Sequence, residues 1–148
     1  MKLIYKNFPS IKKKVSICDA QINEIICFEN SVRFVLSDGF SVISCDEEER
    51  CSRGYVELGN CDPDEFSCYV VRREATSSGA RLYGEPLSLI ELSNILKFEK
   101  RKIEVYLELY DFNYLYWRGV LLPYKEEGLS DNVVVETNGV FPMTYFWE

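Results

Sequence analysis

Two neighbouring segments of alternating apolar and polar residues, 103–110 and 114–121, constrain the fold more than any other feature of this sequence. A period of two is typical of β-strands, and a three-residue Asp111-Phe112-Asn113 turn joins the segments in one antiparallel register. A two-residue turn would set leucines opposite tyrosines, so the pattern favours the longer turn. The predicted register places Leu109 opposite Leu115, Leu107 opposite Trp117 and Ile103 opposite Leu121 on an apolar face, and Tyr110 opposite Tyr114, Glu108 opposite Tyr116 and Tyr106 opposite Arg118 on a polar face.

The polar face of this predicted hairpin is the one surface that the sequence offers for a function. Tyrosine and arginine are enriched at the centres of protein interfaces, and carboxylates attract a basic partner. The opposing interpretation is a solvated face, or one covered by the helix, because tyrosine is also a good strand former. Two strands offer less than the roughly 800 Å² per partner of a standard interface, so a neighbouring loop such as 46–53 would have to contribute. The predicted partner-binding residues are Glu104, Tyr106, Glu108, Tyr110, Tyr114, Tyr116 and Arg118.

The length and composition are those of one ordinary folded domain. With 148 residues, 47% of them hydrophobic, the chain is long and apolar enough to fold around its own core. No run approaches the roughly 18 apolar residues of a membrane span, and the charged start lacks the apolar centre of a secretory signal. We therefore expect a cytoplasmic protein with no membrane partner, whose six cysteines stay reduced.

The charge balance bears on the kind of partner. Seventeen basic residues against 24 acidic residues give a formal net charge of −7. Such a chain repels phosphate backbones, so nucleic-acid binding is not expected, whereas a basic protein partner is favoured. Part of the acidity is local, in the blocks 46–49 and 62–65, and the first block lies in a predicted loop.

Turn and capping residues predict the remaining elements. Strands are predicted at 22–28, 32–36, 40–45, 55–58, 66–72, 133–136 and 140–146. Asp38-Gly39 and Asn138-Gly139 are typical of type I′ turns, which predicts a meander through the first and a hairpin through the second. A capping box of Ser88 and Glu91 begins a helix over about 88–99. The predicted class is α+β, predominantly antiparallel sheet (meander and hairpins) with this one main helix packed on it.

A single domain over 1–148 is expected. The stretch near 74–85, which contains Thr76-Ser77-Ser78-Gly79, is the best candidate for a flexible connection between two subdomains. The parts on either side are short, so one shared core is the simpler expectation.

Histidine is absent from the sequence, and with it the Ser-His and Cys-His nucleophiles and the commonest metal ligand. Glu104 and Glu108 are the carboxylates to test as an acid/base pair. Four residues along a strand span about 13 Å, whereas paired glycosidase carboxyls lie about 5–9.5 Å apart. Spacings such as Cys45 to Cys51 do not match a zinc site, and the glycines form no phosphate-binding loop. We therefore expect no enzyme activity, no cofactor and no metal ion.

The leading hypothesis is a non-enzymatic protein-binding domain, for instance a small acidic inhibitor or immunity-type protein that occludes a basic protein partner. It rests on size, acidity and the missing catalytic groups. The alternative is a small-molecule or carbohydrate binding module that stacks its ligand on exposed tyrosines. Two further hypotheses stay open. One is an enzyme that uses carboxylates, which needs a carboxyl of strongly raised pKa in a pocket, and the other is self-association through an edge strand near 140–147.

Overall fold

The computed structural model describes residues 1–9, 14–44, 47–124, 131–139 and 141–148, with the backbone alone at 44 and 73–75. These ranges contain one α-helix, α1 (Leu89–Phe98), and a 3₁₀ helix at Pro63–Glu65. The strands are β1 (Lys2–Tyr5), β2 (Val15–Ser16), β3 (Gln21–Cys27), β4 (Ser31–Leu36), β5 (Ser41–Ser44), β6 (Glu47–Arg50), β7 (Gly54–Gly59), β8 (Phe66–Thr76), β9 (Gly79–Leu87), β10 (Lys102–Asp111), β11 (Tyr114–Leu122), β12 (Asn132–Asn138) and β13 (Met143–Trp147).

The strands form two antiparallel sheets. The large sheet has ten strands in the order β1-β13-β7-β4-β3-β10-β11-β12-β8-β9, and the small sheet has the order β2-β5-β6. The edges of the large sheet are therefore β1 and β9. The predicted α+β class, with mostly antiparallel sheet and one helix packed on it, is confirmed.

The large sheet curls so that the inner faces of its two halves meet. Strands β4 and β11 are separated by β3 and β10, which in a flat sheet would hold them about 14 Å apart. Instead, the rings of Phe34 on β4 and Trp117 on β11 pack edge to face with their centroids 4.8 Å apart. The bend lies at the junction of β3 and β10, which share only two residue pairs, one of them Ile103 with Ile22. The side chains of both halves form one hydrophobic core.

Helix α1 confirms the capping prediction. The Ser88 hydroxyl accepts a 3.0 Å hydrogen bond from the Glu91 amide, and the Glu91 carboxylate accepts a 3.1 Å bond from the Ser88 amide. Leu89, Leu92 and Leu96 are buried in the core, so the helix packs on the inner side of the sheet, chiefly against β3. No helix within the described ranges has the length and apolar character needed to cross a membrane. In the part of the chain that the structure describes, α1 leaves the outer face of β10, β11 and β12 uncovered.

Both predicted type I′ turns are wrong. That turn needs a positive φ at both central residues, but only Gly39 and Gly139 have one, and Asp38 and Asn138 do not. After Gly39 the chain leaves the large sheet, so β5 pairs with β2 and β6 rather than with β4. Likewise β12 pairs with β11 and β8, whereas β13 pairs with β1 and β7. Because β13 is an interior strand, the edge strand predicted near 140–147 is wrong as well.

Two predicted loops are strands instead. The acidic residues 47–49 belong to β6, and the connection predicted near 74–85 is a long hairpin of β8 and β9. Both β6 and β9 are edge strands and are exposed throughout or nearly so. Polar and charged side chains remain solvated on such strands, and charges at an edge also discourage non-specific pairing. Polar composition therefore does not distinguish these edge strands from loops.

Candidate protein-interaction surface

The hairpin of β10 and β11 departs from its predicted register near the turn. The turn has two residues, 112–113, rather than three. A β-bulge between Val105 and Leu107 gives β10 one extra residue, so the register differs by one on the two sides of the bulge. Beyond the bulge, the predicted pair of Ile103 with Leu121 is confirmed. Between the bulge and the turn the predicted pairs are wrong, and the observed pairs are Leu107 with Arg118, Glu108 with Trp117, Leu109 with Tyr116, Tyr110 with Leu115 and Asp111 with Tyr114.

The bulge divides the seven predicted partner-binding residues between two faces. Glu108 lies opposite the buried Trp117 and is 9% exposed, and Tyr110 packs against the core. In their place Leu107 and Leu109 point outwards, with 36% and 50% of their surfaces exposed. The prediction that all seven residues share one face is therefore wrong for Glu108 and Tyr110. The outer face keeps Glu104, Tyr106, Tyr114, Tyr116 and Arg118.

The buried Glu108 is held by hydrogen-bond donors from the core. Its Oε2 atom accepts from the Ser16 hydroxyl over 2.7 Å and from the Cys18 amide over 3.2 Å. Its Oε1 atom accepts from the Tyr110 hydroxyl over 2.8 Å, and Nε1 of Trp117 donates to that hydroxyl over 2.9 Å. Burial raises the pKa of Tyr110 well above its ordinary value, so its hydroxyl keeps the proton that it donates. Glu108 is thus a structural group that ties β10 to β2 and the residues after it.

The outer face of β10, β11, β12 and β8 carries apolar, aromatic and charged side chains in rows. Residues that lie opposite one another in an antiparallel pair point to the same side, so the registers define each row. One row consists of Leu107, Arg118, Val134 and Tyr69. The next row consists of Leu109, Tyr116, Glu136 and Ser67. We refer to these two rows, together with Glu104, Tyr106, Asp111, Tyr114 and Asn132, as the outer tyrosine face.

Hydrogen bonds between strands and ring stacking within β11 hold the aromatic rings of the outer tyrosine face. The Tyr106 hydroxyl donates to Oδ1 of Asn132 over 2.8 Å, and the Tyr114 hydroxyl donates to Oε2 of Glu136 over 2.6 Å. The rings of Tyr114 and Tyr116 stack with their centroids 6.4 Å apart. Partial burial and the hydrogen bond to Glu136 raise the pKa of Tyr114 to about 12. These rings are therefore positioned in the folded chain before any ligand arrives.

Sequence reasoning missed several residues of this face, and one of them had a local signal. Val134 lies on the outer face yet is buried, and it is the middle of the run 133–135. Three successive valines are typical of a strand covered on both sides. Leu107, Leu109 and Glu136 had no such signal, because their positions depend on the bulge and on the pairing of β11 with β12.

The described cysteines and the Glu104/Glu108 pair were compared with the requirements of a reactive thiol, a metal site and an acid/base pair. Burial raises the pKa of Cys61 to about 11 and that of Cys68 to about 12, so both thiols stay protonated at neutral pH. Within the described ranges, no three Cys, Asp or Glu side chains converge into a metal-binding group, and Cys45 lies outside those ranges. Glu104 and Glu108, the pair considered for acid/base catalysis, point to opposite faces of the sheet. The five described cysteines, Cys18, Cys27, Cys51, Cys61 and Cys68, form no disulfide bonds with one another.

The acidic strand β6 belongs to the small sheet, whose β2 contacts Glu108 from the inner side of β10 through Ser16. The predicted contribution of 46–53 to the tyrosine surface therefore has no support in the geometry of 47–53, and position 46 lies outside the described residues.

A scan against protein-family models, a search of curated proteins and a search of solved structures found no match to this chain.

Proposed function

We propose that this chain is a non-enzymatic protein-binding domain that holds a basic protein partner against the outer tyrosine face. The observation that carries the proposal is the outward position of Leu107 and Leu109 on a face that α1 leaves uncovered. Adjoining exposed apolar side chains with a polar rim are typical of partner-binding surfaces. The form of binding domain that we propose is a small acidic inhibitor or immunity-type protein that occludes its partner.

The composition of the face supports binding through a few strong contacts. Full burial of a leucine side chain contributes about 1.5–3 kcal/mol, so burying the exposed parts of Leu107 and Leu109 would contribute about 1 kcal/mol each. Ordering a flexible side chain at an interface costs about 0.5–1.5 kcal/mol. Tyr106 and Tyr114 avoid much of that cost because their hydroxyls are already bonded to Asn132 and Glu136.

The charges of the face favour a basic partner. Among the residues that define the outer tyrosine face, Glu104, Asp111 and Glu136 contribute three carboxylates, and Arg118 contributes one guanidinium. The whole chain has a formal net charge of −7. Negative charges speed the encounter with a cationic surface. The apolar side chains of the face, such as Leu107 and Leu109, then supply contacts that persist at high salt.

A second candidate, a carbohydrate or small-molecule site, is favoured by one observation. The stacked Tyr114 and Tyr116 rings lie beside the Glu136 carboxylate, a combination of aromatic surface and acceptor that sugars can use. The Tyr114 hydroxyl is already committed to Glu136, and the neighbouring leucines are apolar, so this candidate fits a smaller part of the face.

The test is affinity capture from the native cell extract, in which the wild-type chain is compared with a Leu107→Ser/Leu109→Ser variant. The captured protein is then identified, purified and titrated by calorimetry. We expect one protein of basic isoelectric point, whose Kd rises roughly 30-fold in the variant because about 2 kcal/mol of apolar contact is lost. Circular dichroism checks that both chains are folded.

Ile90→Ser is the matched control, because Ile90 lies on α1 and is 52% exposed, close to the 50% of Leu109. This control should bind like wild type. Equal capture by the Leu107→Ser/Leu109→Ser variant would move the site elsewhere, and an acidic captured protein would contradict the proposed partner chemistry. Capture of nothing, together with glycan binding that Tyr116→Ala abolishes, would favour the carbohydrate site instead.

A further inference from the structure

Strand β9 is an exposed edge of the large sheet. It pairs with β8 on one side, and its other side has no strand partner among the described residues. Among the described residues, the pairing of β8 with β12 ends at Val71, so 72–83 form a ribbon of two strands that extends past the other described strands of the sheet. Two-stranded ribbons are marginally stable in water, and a free edge is a template for another strand.

The sequence of β9 is complementary to itself. Side chains of a strand alternate between the two faces of a sheet. When two copies pair antiparallel about a two-fold axis perpendicular to the sheet, one residue must therefore lie directly opposite the same residue of the second copy, with the axis between the two. With the axis at Tyr83, Arg81 lies opposite Glu85 of the second copy, and Glu85 lies opposite Arg81 of the second copy. On the other face, Leu82 lies opposite Gly84 of the second copy. A Cβ atom added at Gly84 would meet nothing within 4 Å, so the space for that leucine is open.

Other registers lose this complementarity. An axis at Leu82 would set Arg81 opposite Tyr83, and an axis at Gly84 would set Arg81 opposite Leu87. Opposite charges that face each other across strands are stabilising, and like charges are destabilising. The Tyr83 register is therefore the one among these three that pairs the charges of β9.

We propose that two copies of this chain associate through antiparallel pairing of β9 with β9 about Tyr83. The two large sheets then form one continuous sheet, and the two-stranded ribbon gains a neighbour along its open side. Within one chain, Nε of Arg72 lies 3.4 Å from the Glu85 carboxylate, and the Arg81 guanidinium lies 5.8 Å from the centre of the Tyr83 ring. In the dimer, Glu85 lies between its own Arg72 and Arg81 of the second copy.

The association is weak because one strand pair buries less than the roughly 800 Å² per partner of a standard interface. A Kd on the order of 10–100 µM is expected at physiological salt. Sedimentation equilibrium of the full chain, at loadings from about 5 to 500 µM, covers that range. Wild type should pass from monomer to dimer with rising concentration.

Charge reversal tests the register. Arg81→Glu and Glu85→Arg each place like charges opposite each other twice per dimer, so each should raise the Kd roughly 10-fold or more. The double variant Arg81→Glu/Glu85→Arg restores opposite charges and should dimerise about as well as wild type. An equimolar mixture of the two single variants should form heterodimers for the same reason. Circular dichroism and urea unfolding check that each variant keeps its fold.

Two results would overturn this proposal. One is a wild-type chain that stays monomeric over the whole concentration range. The other is a double variant and a mixture that dimerise no better than the single variants, because that pattern shows that the charges do not face each other. Sedimentation reads self-association alone, so neither result depends on the partner proposed for the outer tyrosine face.

Discussion

The Tyr110 hydroxyl donates a 2.8 Å hydrogen bond to the Glu108 carboxylate inside the core, two residues away on the same strand. Both side chains point inwards because the bulge at Tyr106 shifts the alternation of β10 by one position. The same shift turns Leu107 and Leu109 outwards. The one extra residue of the bulge thus produces both the buried polar network and the exposed apolar surface, because it reverses which side chains of β10 face the core.

Replacing Glu108 by alanine should lower the free energy of unfolding by about 2–4 kcal/mol. The substitution removes the acceptor of the Ser16 hydroxyl and the Tyr110 hydroxyl, and it leaves a cavity in the core. Urea unfolding at pH 7 measures the effect. The control is Glu104→Ala on the outer face, which should change stability by less than about 0.5 kcal/mol. Equal effects of the two substitutions would contradict the structural role of Glu108.

The bulge could not be predicted from the sequence because the alternation of 103–110 is unbroken across it. That pattern predicts leucines inside and glutamate outside. In the fold Glu108 points inwards instead, and two of its hydrogen-bond donors, Ser16 and Cys18, lie about 90 residues earlier in the chain. Only the tertiary structure shows that these donors are present, since no local rule links residues so far apart.

Local signals succeeded where the structure depends on neighbours in sequence. Ser88 and Glu91 predicted the start of α1, because a capping box needs only residues three apart. Asp38-Gly39 and Asn138-Gly139 failed as hairpin turns, since the strands that follow them do not pair with the strands that precede them. Tyr106, Tyr114 and Tyr116 of the outer face were among the predicted residues, but Tyr69 and the two leucines were not.

Removing the helix cap should have a smaller, local effect. Ser88→Ala removes the acceptor of the Glu91 amide and should lower the free energy of unfolding by about 1 kcal/mol. Urea unfolding followed by circular dichroism measures it. Asn94→Ala, at an exposed position of the same helix, should be neutral or slightly stabilising, since alanine is the better helix former. A loss at Asn94→Ala as large as that at Ser88→Ala would show that the cap is not the cause.

Stability should fall as the pH rises above about 9. Unfolded thiols lose their protons near pH 8.5, whereas burial raises the pKa of Cys68 to about 12. Between these values the folded chain binds more protons than the unfolded chain, so the free energy of unfolding decreases with pH. In reducing buffer, Cys68→Ala should reduce the steepness of that decrease by up to about 1.4 kcal/mol per pH unit.

The matched reference for Cys68→Ala is the range from about pH 6 to 7.5, where the Cys68 thiol is protonated in both the folded and the unfolded chain. There the urea midpoints of wild type and variant should run in parallel, separated by a constant offset from the lost sulfur atom. If the two curves stay parallel up to about pH 10.5, the Cys68 thiol does not contribute to the alkaline loss of stability.

Charge reversal on the outer tyrosine face should slow association with the proposed basic partner. In Glu104→Lys/Asp111→Lys, two carboxylates that would attract the partner become cations, so the association rate constant should fall at least about 10-fold at low salt. Stopped-flow mixing at several salt concentrations measures it, and the salt dependence should weaken as well. The control is Glu29→Lys/Glu48→Lys, which makes the same change in net charge at two exposed residues away from the outer face, one in the turn between β3 and β4 and one on β6. A control that slows association as much as the face variant would mean that net charge alone attracts the partner and would leave the outer face without a specific role in the encounter.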